Sequence, residues 1–264
     1  MLVQKIKKYL VNIFTDVPMP VFSSQLKGMR LKVSPLMPGN LFFNDVEPQV
    51  HNVYNLFIKP GTVFFDVGAN VGLHSYYVSR KFNDSSVFAF EPLPANAAYI
   101  RSTVKLNNIK NITLTEKAVA EKKGTTYFDL SVNNHQGKIT TSNAGIIVKL
   151  TSIDIFINET GIMPDFIKID VEGAESLVME GFKENISKIK PTMIIEVHDI
   201  EQSDKILTYF KPLGFKLCRL LYPFVKNSGK YFQEIIMNDE KENIVGQLVA
   251  IPNEKCDSYT KYFI

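Results

Sequence analysis

FFDVGANVG, residues 64–72, joins a buried-type strand to a glycine turn. The run TVFFDV is apolar up to Asp66, which favours a strand in the interior of an α/β protein with a carboxylate near its end. Gly68 and Gly72 permit a tight turn and a close approach of the backbone to a ligand. Ligands of an open parallel sheet bind in the crevice beyond the carboxyl ends of the strands. The stretch therefore predicts a ligand site that begins at Asp66.

The rest of the chain repeats this alternation of strands and helices. From about residue 62, strand-like apolar runs alternate with segments of helical periodicity, an order that is typical of a parallel sheet with crossover helices. The first 60 or so residues are less regular and are expected to cap the main domain. Strands are predicted at TVFFDV, SVFAFEP, ITLTEKAVA, DFIKID and TMIIEVHD, and the segments FKLCRLL and IVGQLVAIP are expected to close the sheet as a hairpin-like edge.

Composition bounds the class of protein. The 264 residues are 45% hydrophobic, enough for one α/β domain with a sizeable core. The net charge of +3 is too small to indicate a nucleic-acid partner, and none is expected. Cys218 and Cys256 lack metal-ligand spacing and a disulfide-rich context, which favours a reducing compartment. Without a signal peptide or a run of roughly 20 apolar residues, the sequence predicts a cytoplasmic protein.

The first 14 residues, MLVQKIKKYLVNIF, have the pattern of a basic amphipathic helix. Leu2, Ile6, Leu10 and Ile13 fall on one helical stripe, and lysines occupy other positions. Such a helix docks on its own domain or lies on an anionic membrane surface, and the sequence leaves both alternatives open. Peripheral membrane contact through this helix is therefore one expectation, and no oligomeric state is predicted.

A second acid follows the next strand. SVFAFEP contains Glu91, which lies 25 residues beyond Asp66. An acid at the end of the second strand, about 20 residues after a glycine turn, is the known position for binding ribose hydroxyls. The alternative is that Glu91 only caps the helix that begins at Pro92. Together the glycine turn and the spaced acid indicate a cofactor of the adenosine type.

The glycine turn also distinguishes between adenosine cofactors. Nicotinamide and flavin sites favour G-x-G-x-x-G/A, in which glycines approach the pyrophosphate. Here Asn70 stands where the second glycine of that pattern would be. This departure favours S-adenosyl-L-methionine, whose methionine moiety carries an ammonium and a carboxylate but no phosphate. A nicotinamide-dependent oxidoreductase is the alternative.

Four segments, taken in order, carry a resemblance to a known family. They are DVGANVG, AFEP, KAVAEKKG and DFIKIDVEGAESLVMEGF, and they resemble the FkbM family of S-adenosylmethionine-dependent methyltransferases over roughly residues 47 to 200. The resemblance implies an α/β class I methyltransferase (Rossmann-like) fold. Its seven-stranded, mostly parallel sheet would have helices on both faces and an antiparallel last strand. The resemblance also implies O-methylation, often of a sugar or polyketide hydroxyl.

The division of the chain and the cofactor-binding residues are implied as well. Residues 1–46 would form an N-terminal helix and cap segment, and residues 47–264 would form the methyltransferase domain. Glu91 would bind the ribose of the cofactor, and the segment around Ala118 would border its adenine. The residues expected around its methionine end are Asp66, Gly68, Asn70 and Gly72.

Polar residues at two later strand ends are candidates for the chemistry. Methylation of an alcohol is an in-line displacement that also needs a base for the hydroxyl proton. Asp170, at the centre of the sheet's carboxyl edge, is the first candidate for this base. His198, with an ordinary pKa near ~6.5, is the second. Glu172 and Glu175 are expected on one helical face, where either orients the base or a sugar hydroxyl; alternatively, they are helix-start acids that the dipole favours.

Asp170, Glu196 and His198 are also residue types that bind Mg²⁺ or Mn²⁺. Their spacing is not diagnostic, so no metal is predicted, and a divalent metal stays an alternative. Three other histidines have weaker claims to a place in the site: His74, His51 and, in the polar loop NNHQGK, His135.

The function predicted from these features is S-adenosylmethionine-dependent O-methylation of a glycan, a glycolipid or a related small-molecule hydroxyl acceptor. A non-catalytic protein that retains the fold is a third alternative, and the carboxylates at three strand ends argue against it. Acceptor specificity is expected in the N-terminal residues, in the NNHQGK loop and in the segment YPFVKNSGKYFQ.

Overall fold

The computed structural model describes residues 15–22, 25–35, 42, 45–133, 136–140, 145–221, 230–235 and 244–264. The helix predicted over residues 1–14 and the candidate His135 lie outside these residues. In the parts of the chain that the structure describes, none of the helices is both long and apolar enough to cross a membrane. Membrane contact through the N-terminal helix stays a prediction.

Strands and helices alternate along most of the described chain. The strands are β1 (Pro18–Pro20), β2 (Arg30–Lys32), β3 (Val63–Val67), β4 (Ser86–Phe90), β5 (Ile112–Thr115), β6 (Ala118–Val119), β7 (Gly124–Asn133), β8 (Gln136–Thr140), β9 (Ile146–Thr151), β10 (Phe166–Ile169), β11 (Thr192–Val197), β12 (Phe215–Leu220), β13 (Phe232–Glu234) and β14 (Gly246–Pro252). The helices are α1 (Pro48–Phe57), α2 (Leu73–Lys81), α3 (Pro94–Leu106), α4 (Ile153–Thr160), α5 (Glu175–Glu180), α6 (Ile186–Ile189), α7 (Ile200–Phe210) and α8 (Asn253–Cys256), followed by the 3₁₀ helix Asp257–Tyr262.

The centre of the described structure is an eight-stranded sheet in the order β13-β12-β14-β11-β10-β3-β4-β5. The strands from β11 to β5 run parallel to one another. β14, the last strand in the sequence, lies antiparallel between β11 and β12. This topology confirms the predicted class I methyltransferase fold. The sheet has one strand more than the predicted seven, because the short β13 adds an antiparallel edge to β12.

A second sheet of four described strands has the order β6-β9-β7-β8. The prediction of one continuous strand over ITLTEKAVA is wrong, because β5 belongs to the main sheet and β6 to the second one. The chain turns between them at Lys117, whose N–H donates to the carbonyl oxygen of Thr115 at 2.9 Å. This turn lets β6 pair with β9 and places Ala118 outside the main sheet.

Helices cover both faces of the main sheet, as predicted. Phe64 of β3 belongs to the hydrophobic cluster that includes Tyr54 of α1. Its neighbour Phe65 belongs to a separate cluster, against which Phe156 of α4 packs. Both strand residues are fully buried, because successive side chains of a strand point to opposite faces and both faces are covered here.

The described N-terminal residues pack against the α1 face of the sheet. β1 and β2 form an antiparallel pair, and Met29 and Leu31 are fully buried in the cluster that contains Tyr54. The helix α1 is itself a finding, because the sequence-based reasoning predicts no regular structure in this part of the chain. The domain boundary after residue 46 stays a prediction.

Candidate active site

The glycine turn after β3 has a conformation that its residues specify. Gly68 has a φ of +79°, and a Cβ there would lie 1.8 Å from the carbonyl oxygen of Asp170, so that only glycine fits. Asn70 has a φ of 52°, a value that asparagine tolerates better than most residues do. Gly72, with a φ of +87°, is the N-cap of α2. The turn therefore presses its backbone against the carboxyl end of β10.

A cleft with about 580 Å³ of empty space opens beside this turn. This space includes the part of the cleft that is open to solvent, so it is not the volume of an enclosed cavity. Phe90, Val119 and Phe128 supply apolar lining. Six of the nine residues that the sequence predicts for cofactor binding or catalysis line the cleft: Gly68, Asn70, Glu91, Ala118, Asp170 and Glu172.

Glu91 is a buried acid of this cleft, with only 4% of its surface exposed. Its Oε2 accepts a hydrogen bond from the Asn70 N–H at 2.8 Å, and its Oε1 accepts one from the Leu93 N–H at 2.9 Å. Burial raises the pKa of Glu91 to about 7, although these hydrogen bonds oppose the shift. The carboxyl group thus ties the glycine turn to the start of α3 while it lines the cleft. Its contact with a ribose stays a prediction.

The other three predicted residues, Asp66, Gly72 and His198, are not among the described residues that line the cleft. Asp66 is fully buried. Its Oδ2 accepts a hydrogen bond from Ser75 Oγ at 2.6 Å, and its Oδ1 lies 3.9 Å from Lys168 Nζ. Asp66 therefore links β3 to α2 and β10 around the turn, and its direct contact with a cofactor stays a prediction.

Lys168 is a buried cation that the sequence-based reasoning misses. It lies on β10 with 4% of its surface exposed, and its Nζ donates to Asp170 Oδ2 at 3.0 Å. Burial alone would lower the pKa of Lys168, but the carboxylates of Asp170 and Asp66 raise it above its ordinary value. A lysine within the apolar run FIKI is the signal in the sequence that points to this role.

His198 connects three carboxyl groups at the carboxyl ends of β10 and β11. Its Nδ1 lies 2.7 Å from Oε1 of Glu175, a fully buried residue. Its Nε2 lies 3.3 Å from Glu172 Oε2 and 3.7 Å from Asp170 Oδ1. The structure thus brings together the three residues that the sequence predicts for catalysis, and it adds Glu175 as a contact of the histidine.

The protonation of His198 differs from the sequence-based expectation. The hydrogen bond with Glu175 raises the pKa of His198 to about 9, and the charges of Glu175, Asp170 and Glu172 add to the shift against the effect of burial. At neutral pH the ring is therefore an imidazolium, which cannot accept a proton. This protonation favours Asp170 over His198 as the candidate base, and the role of either residue stays a prediction.

The expectation that Glu172 and Glu175 share a helical face is wrong. α5 begins only at Glu175, and Glu172 precedes it with a positive φ of 55°. The two carboxylates approach His198 from different sides, one at each ring nitrogen.

Asp170, Glu172 and His198 each offer a ligand atom within 4.8 Å of the others, so that this group could hold a divalent cation. Glu196, which the sequence suggests as a ligand, is not part of that group of described residues. Burial raises the pKa of Glu196 to about 7, and the charges of Asp170 and Glu47 add to the shift.

A second carboxylate–histidine pair lies at the start of α1 and α2. Glu47 Oε2 is 3.1 Å from His74 Nε2, and the Tyr54 hydroxyl is 3.1 Å from His74 Nδ1. His51 stacks on Tyr77 with ring centroids 4.0 Å apart. The sequence indicates His74 and His51 as weaker candidates. Nothing in the sequence pattern links His74 to Glu47, because tertiary packing alone brings them together.

The sequence matches a known protein family and is similar to known methyltransferases. A sequence profile of the methyltransferase FkbM domain matches residues 66–217, more than half of the chain. The 2-O-methyltransferase NoeI of Sinorhizobium fredii is 29% identical over 163 residues, which cover 54% of the chain and 66% of NoeI. The hexuronic acid methyltransferase AglP of Haloferax volcanii is 27% identical over 139 residues, which cover 52% of the chain and 56% of AglP. The chain thus spans less than two thirds of the length of these curated relatives.

Among solved structures, methyltransferase FkbM from Methylobacillus flagellatus resembles the chain with a TM-score of 0.49 and 16% sequence identity. The match covers 73% of the chain and 44% of that protein.

Proposed function

Since the chain belongs to the FkbM methyltransferase family, we propose that it transfers the methyl group of S-adenosylmethionine to a hydroxyl oxygen of a carbohydrate. The family supports S-adenosylmethionine as the cofactor, and the nicotinamide alternative is set aside. The acceptor, which would be a glycan or a small molecule that carries hydroxyl groups, is the finer part of the proposal.

The cleft fits this cofactor. The close approach of Gly68 to the Asp170 carbonyl fixes the glycine turn at the wall of the cleft, and the Glu91 carboxyl group is buried where it can accept hydrogen bonds from ribose hydroxyls. Ala118, Phe90 and Val119 form an apolar wall suited to adenine. When bound, S-adenosylmethionine supplies an electrophilic methyl group on a sulfonium.

The observation that carries the proposal is the position of Asp170. It lines the same cleft as Gly68 and Glu91, so that a proton acceptor adjoins the residues assigned to the cofactor. Lys168 holds its Oδ2 at 3.0 Å, and its Oδ1 lies on the side of His198. We assign to Asp170 the acceptance of the hydroxyl proton as the new C–O bond forms.

Glu172 and His198 complete the proposed site. Glu172 lines the cleft, so that its carboxylate can accept a hydrogen bond from the acceptor and hold the reacting oxygen in line. His198, as an imidazolium, keeps the charges of Glu172 and Asp170 partly balanced at distances of 3.3 and 3.7 Å. In this proposal the Asp170 carboxylate accepts the hydroxyl proton, and His198 keeps Asp170 and Glu172 in position.

The chemistry of the acceptor is supported by two relatives. NoeI is named as a 2-O-methyltransferase, and AglP is named as a hexuronic acid methyltransferase. An oxygen acceptor on a sugar also suits a site whose polar groups are carboxylates and a histidine, which pair well with hydroxyl groups. We also propose a cytosolic location. Cys218 and Cys256 are free thiols in the structure, as is usual in a reducing compartment.

The test uses the purified full chain and two measurements. Calorimetric titration with S-adenosylhomocysteine should show saturable binding, whereas titration with NAD should show none. Transfer of a labelled methyl group from S-adenosylmethionine is then measured with p-nitrophenyl glycosides of glucose, glucosamine and glucuronic acid. Absence of S-adenosylhomocysteine binding would contradict the cofactor assignment, and transfer to nitrogen instead of oxygen would contradict the O-methylation.

The role of Asp170 is tested by Asp170→Asn. The variant should bind S-adenosylhomocysteine as the wild type does and lose roughly 10²–10⁴-fold in rate, the usual contribution of a general base. Asp257→Asn, on the exposed 3₁₀ helix, is the matched control and should keep the wild-type rate. A nearly normal rate in Asp170→Asn would remove Asp170 from this role.

A further inference from the structure

The first turn of α1 lies at the ligand edge of the main sheet. Gln49 Nε2 donates to Gln247 Oε1 at 3.2 Å, and Gln247 pairs with Glu196 near the carboxyl end of β11. Glu47, the residue just before α1, is therefore held at the edge where Asp170 and the glycine turn also lie.

Glu47 has an unusual backbone conformation. Its φ of 51° and ψ of 56° are left-handed, which is uncommon and costly for a residue with a side chain. It is the N-cap of α1, yet within the described chain its side chain makes no capping hydrogen bond. Its carboxylate is turned to His74 of α2, with 3.1 Å between Oε2 and Nε2. The Glu47 side chain is therefore used for the contact with His74 and not for capping α1.

His74 orients this carboxylate and is itself held by a second contact. The Tyr54 hydroxyl, 3.1 Å from His74 Nδ1, is fully buried, and burial raises the pKa of Tyr54 well above its ordinary value. Tyr54 therefore keeps its proton, and its hydroxyl holds the Nδ1 side of the ring. Nε2 faces the Glu47 carboxylate, so that the ring is held between Tyr54 and Glu47.

Other carboxylates at this edge are already in contact with a cation. Asp170 contacts Lys168, and Glu172 and Glu175 contact His198. Glu47, by contrast, makes its described ion-pair contact only with His74. The carboxylate is ionised near neutral pH: burial opposes ionisation, but the hydrogen bond and charge interaction with His74, together with the charge of Lys168, lower the pKa of Glu47 to about 2. An oriented, ionised carboxylate that contacts no lysine or arginine among the described residues suits a cationic group of a ligand.

We propose that the Glu47 carboxylate, oriented by His74, binds the α-ammonium group at the methionine end of the cofactor. This inference rests on the proposed function. His74 is in the first turn of α2, directly after the glycine turn of residues 68–72, and Gly68 and Asn70 of that turn line the cleft. Glu47 and His74 are not among the described residues that line the cleft, so the carboxylate would bind the ammonium at the margin of the cleft on the side of the glycine turn.

The test compares three ligands by calorimetric titration of the full chain. 5′-Methylthioadenosine keeps the adenosine and the sulfur but lacks the amino acid, S-adenosylhomocysteine has the ammonium, and S-adenosylmethionine has the ammonium and the sulfonium. Glu47→Gln should raise the Kd of S-adenosylhomocysteine roughly tenfold, since it removes one charge-assisted hydrogen bond. The Kd of methylthioadenosine should stay within about twofold, which also shows that the variant is folded.

Each other outcome decides against the assignment. An unchanged Kd for S-adenosylhomocysteine in Glu47→Gln would assign the carboxylate to another ligand. An equal loss of methylthioadenosine binding would indicate a structural role, and weakening confined to S-adenosylmethionine would indicate the sulfonium.

Glu47→Asp, which keeps the charge, serves if Glu47→Gln does not fold and should bind methylthioadenosine normally. Glu201→Gln, on the exposed side of α7, is the matched control and should change none of the three. A wild-type chain that binds none of the ligands contradicts the proposed function itself.

Discussion

Glu175 Oε1 lies 2.7 Å from His198 Nδ1, and Glu175 is fully buried. The other ring nitrogen of His198, Nε2, contacts the carboxylates of Glu172 and Asp170. A buried carboxylate is costly unless a cation or a hydrogen-bond donor compensates it. His198 provides both, and the Gly173 N–H donates to the same oxygen at 2.8 Å. The charge of the histidine is thus a consequence of the buried acid behind it.

Glu175→Gln should lower the pKa of His198 from about 9 toward the ordinary value of ~6.5, because the hydrogen bond with the carboxylate is the largest cause of the shift. The amide oxygen can still accept the Gly173 N–H, so the fold should survive. The measurement is an NMR titration of the imidazole protons in chelator-treated buffer. The chain has four histidines, and His198→Gln assigns the signal.

Glu172→Gln is the comparison for this titration. It removes a charge near Nε2 and should lower the pKa of His198 by less, because Glu172 contributes the smallest of the causes. A wild-type pKa of His198 in Glu175→Gln would show that the buried acid does not control the ring.

Glu91 should make cofactor binding depend on pH. Its pKa in the ligand-free protein is raised to about 7 by burial, whereas ribose hydroxyls donate most strongly to an ionised carboxylate. Below pH 7 a proton must leave before binding, so the affinity for S-adenosylhomocysteine should rise up to about tenfold per pH unit from pH ~5.5 to ~7 and then level off.

Glu91→Gln isolates this effect. The amide has no proton to lose in this range, so the variant should bind more weakly at pH 8 and should show a flat profile between pH ~5.5 and ~8. The measurement is the Kd at each pH by calorimetry. If the profile of Glu91→Gln kept the wild-type slope, the pH dependence would belong to another group, and the ribose assignment would lose its support.

Divalent metal should not be required. Asp170, Glu172 and His198 have the spacing of metal ligands, but Lys168 already contacts Asp170 at 3.0 Å and the imidazolium of His198 contacts Glu172 at 3.3 Å. These two cations already balance the negative charge that a metal ion would neutralise. We expect Mn²⁺ to show no stoichiometric binding by electron paramagnetic resonance in chelator-treated protein, and EDTA to leave the Kd of S-adenosylhomocysteine unchanged. One Mn²⁺ per chain, lost in His198→Gln, would contradict this expectation.

Local sequence signals predicted much of the fold but little of the contact network. β3 and the turn at Gly68 were predictable, because a buried strand and a glycine turn are encoded within nine residues. The helix α1 carried a usable signal that the sequence-based reasoning passed over, since Val50, Val53 and Tyr54 are buried at helical spacing. The pairs Glu47–His74 and Glu175–His198 were not predictable, because each joins residues more than 20 positions apart through packing. The same packing moves the pKa of His198 away from the ordinary value on which the sequence-based choice of a base relied.

Gly68→Ala should abolish cofactor binding and destabilise the fold, and Gly61→Ala separates the two possible causes. Both glycines have a positive φ, +79° and +83°, so alanine is strained at either position. At Gly68 the new Cβ would also lie 1.8 Å from the Asp170 carbonyl oxygen, whereas at Gly61 no atom lies within 4 Å. We expect Gly61→Ala to cost about 1 kcal/mol and to bind S-adenosylhomocysteine normally. Gly68→Ala should cost roughly 2–4 kcal/mol and lose measurable binding, since the turn and the end of β10 must move apart. Thermal unfolding and calorimetry on the two variants provide the measurements, and wild-type affinity in Gly68→Ala would show that the close approach of these two backbones does not form the cofactor cradle.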